Sequence, residues 1–167
     1  DKARKKRGAL EIETTELKIS VDKNGQVKSI VPAENLVANR LIEEFMVAAN
    51  NAAALTLEKF KLPIMFRVHD RPPEEKMADM EELLQSFEMK LPEWAALKPE
   101  HFNKLIDKCQ RSGEQQGISD LVLRMQAQAQ YSPKNIGHFG LGLKDYVHFT
   151  SPIRRYADLL IHRALVG

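Results

Sequence analysis

Between residues 33 and 60 apolar side chains recur every three or four positions. Val37, Leu41, Phe45, Ala48, Ala52 and Leu55 share one face, and Ile42, Met46, Ala49 and Ala53 widen it. That period predicts a long helix over about 33–60, with a stripe wide enough for burial on most sides and a stop at Pro63. Upstream the pattern alternates instead. LEIETTELKISV and QVKSIV flank DKNGQ, whose Asn24-Gly25 step is a turn signal, so a hairpin of about 8–21 with 26–31 is predicted. IMFRVH, 64–69, reads as a short strand and DRPP as a break. An amphipathic helix follows over 73–88, with Met77, Met80, Leu84 and Phe87 beneath an acidic outer side. Helices are predicted over about 99–111 and 114–130. NIGHFGLGLKDYVHFT has no helical period and reads as extended, and a last helix begins near Pro152. Phe66, Phe87, Trp94, Phe102 and Leu121 are expected to pack in the interior. Helices flanked by short sheet pieces predict a mostly helical α+β domain.

HFTSPIRRYADLLIHRAL, 148–165, poses a chemical question. Ser151 is a favoured N-cap and Pro152 suits the first helical position, so Arg154 and Arg155 would fall in the first turn. The helix dipole disfavours cations there. An anion bound on the free N–H groups would reverse that sign. The competing reading is internal: Arg154, Asp158 and His162 lie one helical turn apart, and Arg154–Asp158 would be an ordinary ion pair. Ile153, Tyr156, Ala157, Leu160 and Ala164 would form the buried face. In the long helix Asn39, Glu43 and Asn50 make a polar line, beside Arg40 and Glu44, which are spaced to pair with each other.

Composition narrows the setting. The 167 residues are 43% hydrophobic and 29% charged, enough for one domain with a core. The formal charge is only +2, but residues 1–7, DKARKKR, form a basic lead-in segment with five Lys or Arg. Such local basicity suits a polyanion partner or a solvated tail. The single cysteine, Cys109, leaves no internal disulfide and points to a reducing compartment. No apolar run approaches the ~18 residues of a membrane span, and no signal peptide is visible, so the cytoplasm is the default expectation. The chain opens at Asp1 and stops within a helical pattern, which suggests a piece of a longer protein.

The run GHFGLGLKDYVHFTSPIRRYADLLIHRAL closely resembles the signature of the ribonuclease II / ribonuclease R family (the RNB catalytic domain), nearest its bacterial ribonuclease R branch. NRLIEEFMVAANNAAA resembles the long-helix motif of that family, RGALEIE its preceding strand motif, and MFRVHDRPPEEK the intervening segment. The similarity runs through nearly the whole chain in one order and implies the later part of an RNB domain. It implies a parent enzyme, monomeric, that hydrolyses single-stranded RNA processively from its 3′ end to nucleoside monophosphates with Mg²⁺. It also implies flanking cold-shock and S1 domains. By the resemblance, Arg154 contacts the scissile phosphate region and is the catalytic residue. Glu43 contacts the terminal sugar and selects ribose. Arg155, Thr150, Ser151, His148 and His138 are candidate RNA contacts, and Ile12 stands where the family usually has a base-stacking Phe.

The family's metal-binding aspartate run is missing from this sequence. The aspartates, from Asp1 to Asp158, never fall as D-x-D-D, and the histidines show no H-x-x-x-H spacing, so no complete metal site is expected in this chain. Three readings stay open: part of an exoribonuclease whose metal ligands lie elsewhere, an RNA-binding module that never cuts, or a structural helical domain whose arginines pair internally.

Overall fold

A computed structural model describes residues 2–12, 17–32, 36–86, 88, 90–112 and 115–167. Its elements, in chain order, are α1 (Lys2–Lys6), β1 (Leu17–Val21), β2 (Val27–Pro32), α2 (Val37–Lys59), β3 (Phe66–Val68), α3 (Glu75–Ser86), α4 (Pro99–Ser112), α5 (Gln115–Met125), β4 (Gln130–Ser132) and α6 (Tyr156–Val166). Helices dominate, and the strands form two separate antiparallel pairs, β1 with β2 and β3 with β4. The fold is α+β and mostly helical, as the periodicity predicts.

Two cores organise the chain. In the first, α3, α4 and α5 bury Met80, Leu84, Phe102, Leu105, Ile106, Cys109, Ile118 and Val122, with Leu10 and Leu97 closing the edge. The second joins Ala53, Ala54 and Leu57 of α2 to Phe66 and Val68 of β3, to Val147, and to Ile161 of α6. This second core supports the functional segment, because it ties α2 and α6 to the strand region between them. Of the expected interior aromatics, Phe66 and Phe102 are buried. Trp94 is partly exposed, its indole N–H donating to the Pro72 carbonyl at 2.8 Å, and Phe87 lies outside the described residues.

The elements that differ from the sequence reading do so for identifiable reasons. Helix α2 stops ahead of Pro63. The Leu62 N–H bonds the Leu57 carbonyl and the Lys61 N–H the Glu58 carbonyl, with Lys61 at φ 56. This is a Schellman stop with a lysine in the left-handed position usually given to glycine. Helix α5 ends at Met125, not near 130, because Gln130–Ser132 is taken by β3: Phe66 pairs with Ser132 and Arg67 with Tyr131. Tertiary pairing overrides the helix preference of QAQAQ. In the extended segment a short 3₁₀ turn, Phe139–Leu141, ends at Gly142 with φ 60, where a Cβ would lie 2.5 Å from the Arg7 carbonyl oxygen.

The hairpin is narrower than expected, Leu17–Val21 with Val27–Pro32, and residues 13–16 lie outside the description. Residues 8–12 are not strand; the Leu10 N–H instead bonds the Gly140 carbonyl. The basic lead-in is partly structural. It forms the short helix α1, and Arg4 and Arg7 clamp the two carboxylate oxygens of Glu44, each at 3.2 Å. Glu44 is therefore held from outside α2, where the sequence spacing suggested Arg40.

The expected burial of α2 on most sides is not found. Only Asn50, Ala53, Ala54 and Leu57 are buried along it. Val37 is 85% exposed, and Leu41, Ile42 and Phe45 are open as well. The hairpin is equally bare, with Leu17, Ile19, Val21, Val27 and Ile30 exposed. The face predicted from Val37 to Leu55 is open among the described residues, and the helix instead buries the line of Asn50, Ala53, Ala54 and Leu57. Among the described residues no helix is long and apolar enough to cross a membrane.

Candidate functional site

The Ser-Pro-Ile-Arg-Arg stretch folds as a turn placed before the terminal helix. The N–H groups of Arg154 and Arg155 both reach the Ser151 carbonyl, at 3.3 and 3.2 Å. Arg155 is extended (φ −130, ψ 120) and occupies the N-cap position, so α6 starts at Tyr156. The expected start near Pro152 with a Ser151 cap is thus four residues early. The phase of the buried face moves with it. Asp158 and Ile161 are buried, whereas Ile153 is 98% exposed and Tyr156 is open.

Asp158 explains the shift. Its side chain is 0% exposed. Oδ1 accepts the Ser151 N–H and Arg155 Nη2, and Oδ2 accepts Arg155 Nε, all at 2.8 Å. A buried carboxylate is costly unless its oxygens are satisfied, and a guanidinium fork plus a backbone N–H does this. Burial alone would raise the pKa of Asp158. The Arg155 hydrogen bonds and the Ser151 N–H outweigh it and hold the carboxyl below its ordinary value. The ion pair is therefore Arg155–Asp158, not Arg154–Asp158. The first turn of α6 also already carries an anion, the protein's own.

From the other side, α2 holds the same segment. Asn50 is buried; its Nδ2 donates to the Tyr146 hydroxyl at 2.9 Å, and its Oδ1 accepts the N–H groups of Phe149 and Thr150 at 2.9 and 3.1 Å. Asn51 donates to the Asp145 carbonyl at 2.6 Å. His162 Nε2 donates to the Phe149 carbonyl at 2.9 Å, with its ring stacked on Phe149 at 4.3 Å. The backbone N–H groups of 149–151 are thus consumed by Asn50 and Asp158 and do not remain for phosphates. Thr150 Oγ1 is buried without a hydrogen-bond partner. Asn50→Ala would strand three polar groups at once. It is expected to cost about 2–4 kcal/mol, read from the denaturation midpoint.

Two doublets now sort in the same way. Of Arg154 and Arg155, Arg155 is spent on Asp158, whereas Arg154 is exposed and has no carboxylate partner among the described residues. Of Glu43 and Glu44, Glu44 is bound by Arg4 and Arg7, whose hydrogen bonds lower its pKa against the opposing effect of burial. Glu43 is exposed, with no partner among the described residues. Seven residues separate Glu43 from Asn50, which places it on the same helical line about 10 Å along the axis. The line that grips the 149–150 backbone therefore carries the free carboxylate too.

The histidines divide. His148 lies on the segment itself, its Nδ1 within 2.8 Å of the Tyr131 hydroxyl. Burial, then the Arg155 and Arg67 charges, push its pKa down to about 4. His138 lies behind Tyr146 (ring centroids 5.2 Å) and beside His69 (5.0 Å), its Nδ1 accepting the Leu141 N–H. Burial and His69 push it to about 3. Both are neutral near pH 7. Ile12 is half-buried against the first core. The structure thus brings His148, Thr150, Ser151, Arg154 and Arg155 together on one clamped segment with Glu43's helix alongside. His138 sits beneath that segment and Ile12 in a different cluster.

Among the described residues the donors for Mg²⁺ do not assemble. Asp158 has both oxygens engaged and Asp145 Oδ1 accepts from Asn135 at 2.6 Å. Among the described residues no group of three or more His, Cys, Asp or Glu could hold a metal ion. The described residues do not fit a magnesium site.

The family model for the RNB domain matches residues 1–167. The chain belongs to the RNB family. It is 42% identical over 158 residues to ribonuclease R of Aquifex aeolicus, covering 95% of this chain and 22% of that protein. To ribonuclease R of Thermotoga maritima it is 42% identical over 164 residues, 98% of this chain and 23% of that one. In three dimensions it matches RNase R of Mycoplasma genitalium, solved in complex with ribose-methylated single-stranded RNA, with a TM-score of 0.88. That match has 31% identity and covers 98% of this chain and 26% of that one. The RNB chain described here thus spans about a fifth to a quarter of its relatives' length.

Proposed function

We propose that this chain is the later part of an RNB domain in a 3′→5′ exoribonuclease that processively hydrolyses single-stranded RNA to nucleoside monophosphates. The observation that carries the reading is the pair of sorted doublets. Among the described residues a cation and a carboxylate have no partner where their neighbours are neutralised, and both groups belong to the segment and helix line that Asn50 joins. Arg154 supplies a guanidinium for the negative charge that gathers on the phosphoryl oxygens during hydrolysis. Glu43 accepts a hydrogen bond from the 2′-hydroxyl of the terminal ribose, the group that distinguishes RNA from DNA. His148, Thr150 and Ser151 line the approach. Arg155 acts through Asp158 by fixing the turn, His138 packs beneath, and Ile12 belongs to the first core.

The metal, Mg²⁺ by the family's chemistry, would be held by carboxylates elsewhere in the parent, so the isolated chain is expected to be inactive. The bare hairpin and the open half of α2 are assigned to packing against the earlier part of the domain. Cold-shock and S1 domains, a monomeric parent and a cytoplasmic location complete the proposal. Glu43→Ala in the parent enzyme is expected to relax discrimination against a 3′-terminal deoxyribose. Unchanged RNA-over-DNA preference would reject the role of Glu43.

The lack of a metal-ligand group among the described residues favours a second reading, an RNA-binding module without hydrolysis. The parent protein, given 3′-hydroxyl single-stranded RNA and Mg²⁺, decides between them. Stepwise release of monophosphates supports the first, and salt-sensitive binding with intact RNA supports the second.

A further inference from the structure

Arg67, within the MFRVHDRPPEEK segment, is the third arginine near the clamped turn, and the doublets do not account for it. In β3, Phe66 and Val68 point into the second core, so Arg67 points to the opposite face. Its cross-strand partner is Tyr131, and its Cζ lies 4.8 Å from the centre of the Tyr131 ring. On the other side of β3 the Arg67 N–H bonds the Tyr146 carbonyl at 2.9 Å, while Val147 bridges Phe66. Tyr146 and His148 therefore share the face of Arg67, and the Tyr131 hydroxyl meets His148 Nδ1 at 2.8 Å.

The charges on this face do not balance. Arg67 reaches this face from β3, and Arg154 stands on the turn six residues beyond His148. Only Arg155 has a carboxylate; among the described residues neither Arg67 nor Arg154 has one. Arg67, held over Tyr131 beside His148, and Arg154 on the segment that His148 opens form a seat for an anion with more than one charge along its length. Stacking on Tyr131 holds the guanidinium plane before any ligand arrives, which lowers the ordering cost of binding. Tyr131 itself is 42% exposed, so the stack is open at the surface.

We propose that Arg67, held on Tyr131, is a second phosphate contact for the RNA single strand, beside the phosphate that Arg154 engages. The inference rests on the reading of Arg154 given above. The test uses the full-length parent in EDTA, with fluorescent single-stranded RNA titrated by anisotropy at several KCl concentrations. Arg67→Gln is expected to weaken binding about tenfold and to reduce the slope of log K against log salt by about 0.7, one phosphate on a single strand. Arg67→Lys, which keeps the charge but loses the stacked plane, is expected to retain the slope with an intermediate affinity. Unchanged affinity and slope in Arg67→Gln would overturn the proposal. A lowered melting temperature with an unchanged slope would overturn it too, by assigning Arg67 to a contact inside the parent. Should Arg67→Gln not fold, unchanged low-salt affinity in Arg67→Lys overturns it equally. Turnover of Arg154→Ala in Mg²⁺, measured in parallel, keeps the two readings apart. Normal turnover there defeats the Arg154 reading, whereas a salt-slope failure confined to Arg67 defeats only this one.

Discussion

Replacing Arg154 with alanine in the parent enzyme is expected to cut turnover by about 10²-fold or more while leaving RNA affinity nearly intact. The asymmetry follows from where the residue sits. The turn's fold does not depend on its guanidinium, because Arg155 and Asp158 supply the ion pair that fixes the backbone. Removing Arg154 therefore takes away a charge and little structure. An interaction made chiefly when phosphoryl oxygens gain charge appears in kcat rather than in binding. Single-turnover rates at saturating RNA, set against anisotropy in EDTA, separate the two terms. Equal and small losses in both would sink the catalytic role. Arg155→Ala provides the contrast, since it strips a buried carboxylate of its partner and should lower stability as well as activity.

Much of this arrangement was legible before any coordinates. The 3.6-residue period located α2 and the amphipathic helices, the Asn-Gly step located the hairpin, and the long terminal motif identified the family. The sequence could not say which arginine of the pair was free. Arg154–Asp158 and Arg155–Asp158 are both acceptable spacings on a helix, and only the discovery that the helix begins at Tyr156 decides for Arg155. In the sequence Asn50 is one point on a polar line. Its role depends on a segment about a hundred residues away, from Tyr146 to Thr150, which no local pattern reports. Tyr131 follows a run of good helix formers, and its pairing with Arg67 across β3 is a contact that no local pattern reports. The burial of α2 has another origin: the packing partners Phe66, Val68, Val147 and Ile161 come from distant segments and meet the line of Ala53, Ala54 and Leu57, which the apolar period does not single out.

Asp158→Ala is expected to be the most destabilising single change in the functional region. The carboxylate is fully buried and satisfies three donors from two directions. Its loss leaves a guanidinium without its counter-charge and a backbone N–H without an acceptor, which should cost about 3–5 kcal/mol. Arg155 retains some exposure and can turn partly to water, which places the cost toward the lower end. A pH series identifies the source. Because the folded pKa of Asp158 is lowered, its contribution is in place above the ordinary carboxylate value of 3.8 and is lost as pH falls through the folded one. His138 and His148 act at higher pH. Their folded values near 3 and 4 lie below the ordinary 6.5, so the unfolded chain takes up protons first and stability declines as pH drops below about 6.5. The wild-type protein should therefore weaken in two stages on acidification. In Asp158→Ala the histidine stage should persist while the Asp158 contribution to the second stage disappears. If the variant keeps that second stage in full, the acid sensitivity belongs to other carboxylates, and the clamp on the Ser151–Arg155 turn is weaker than its geometry implies.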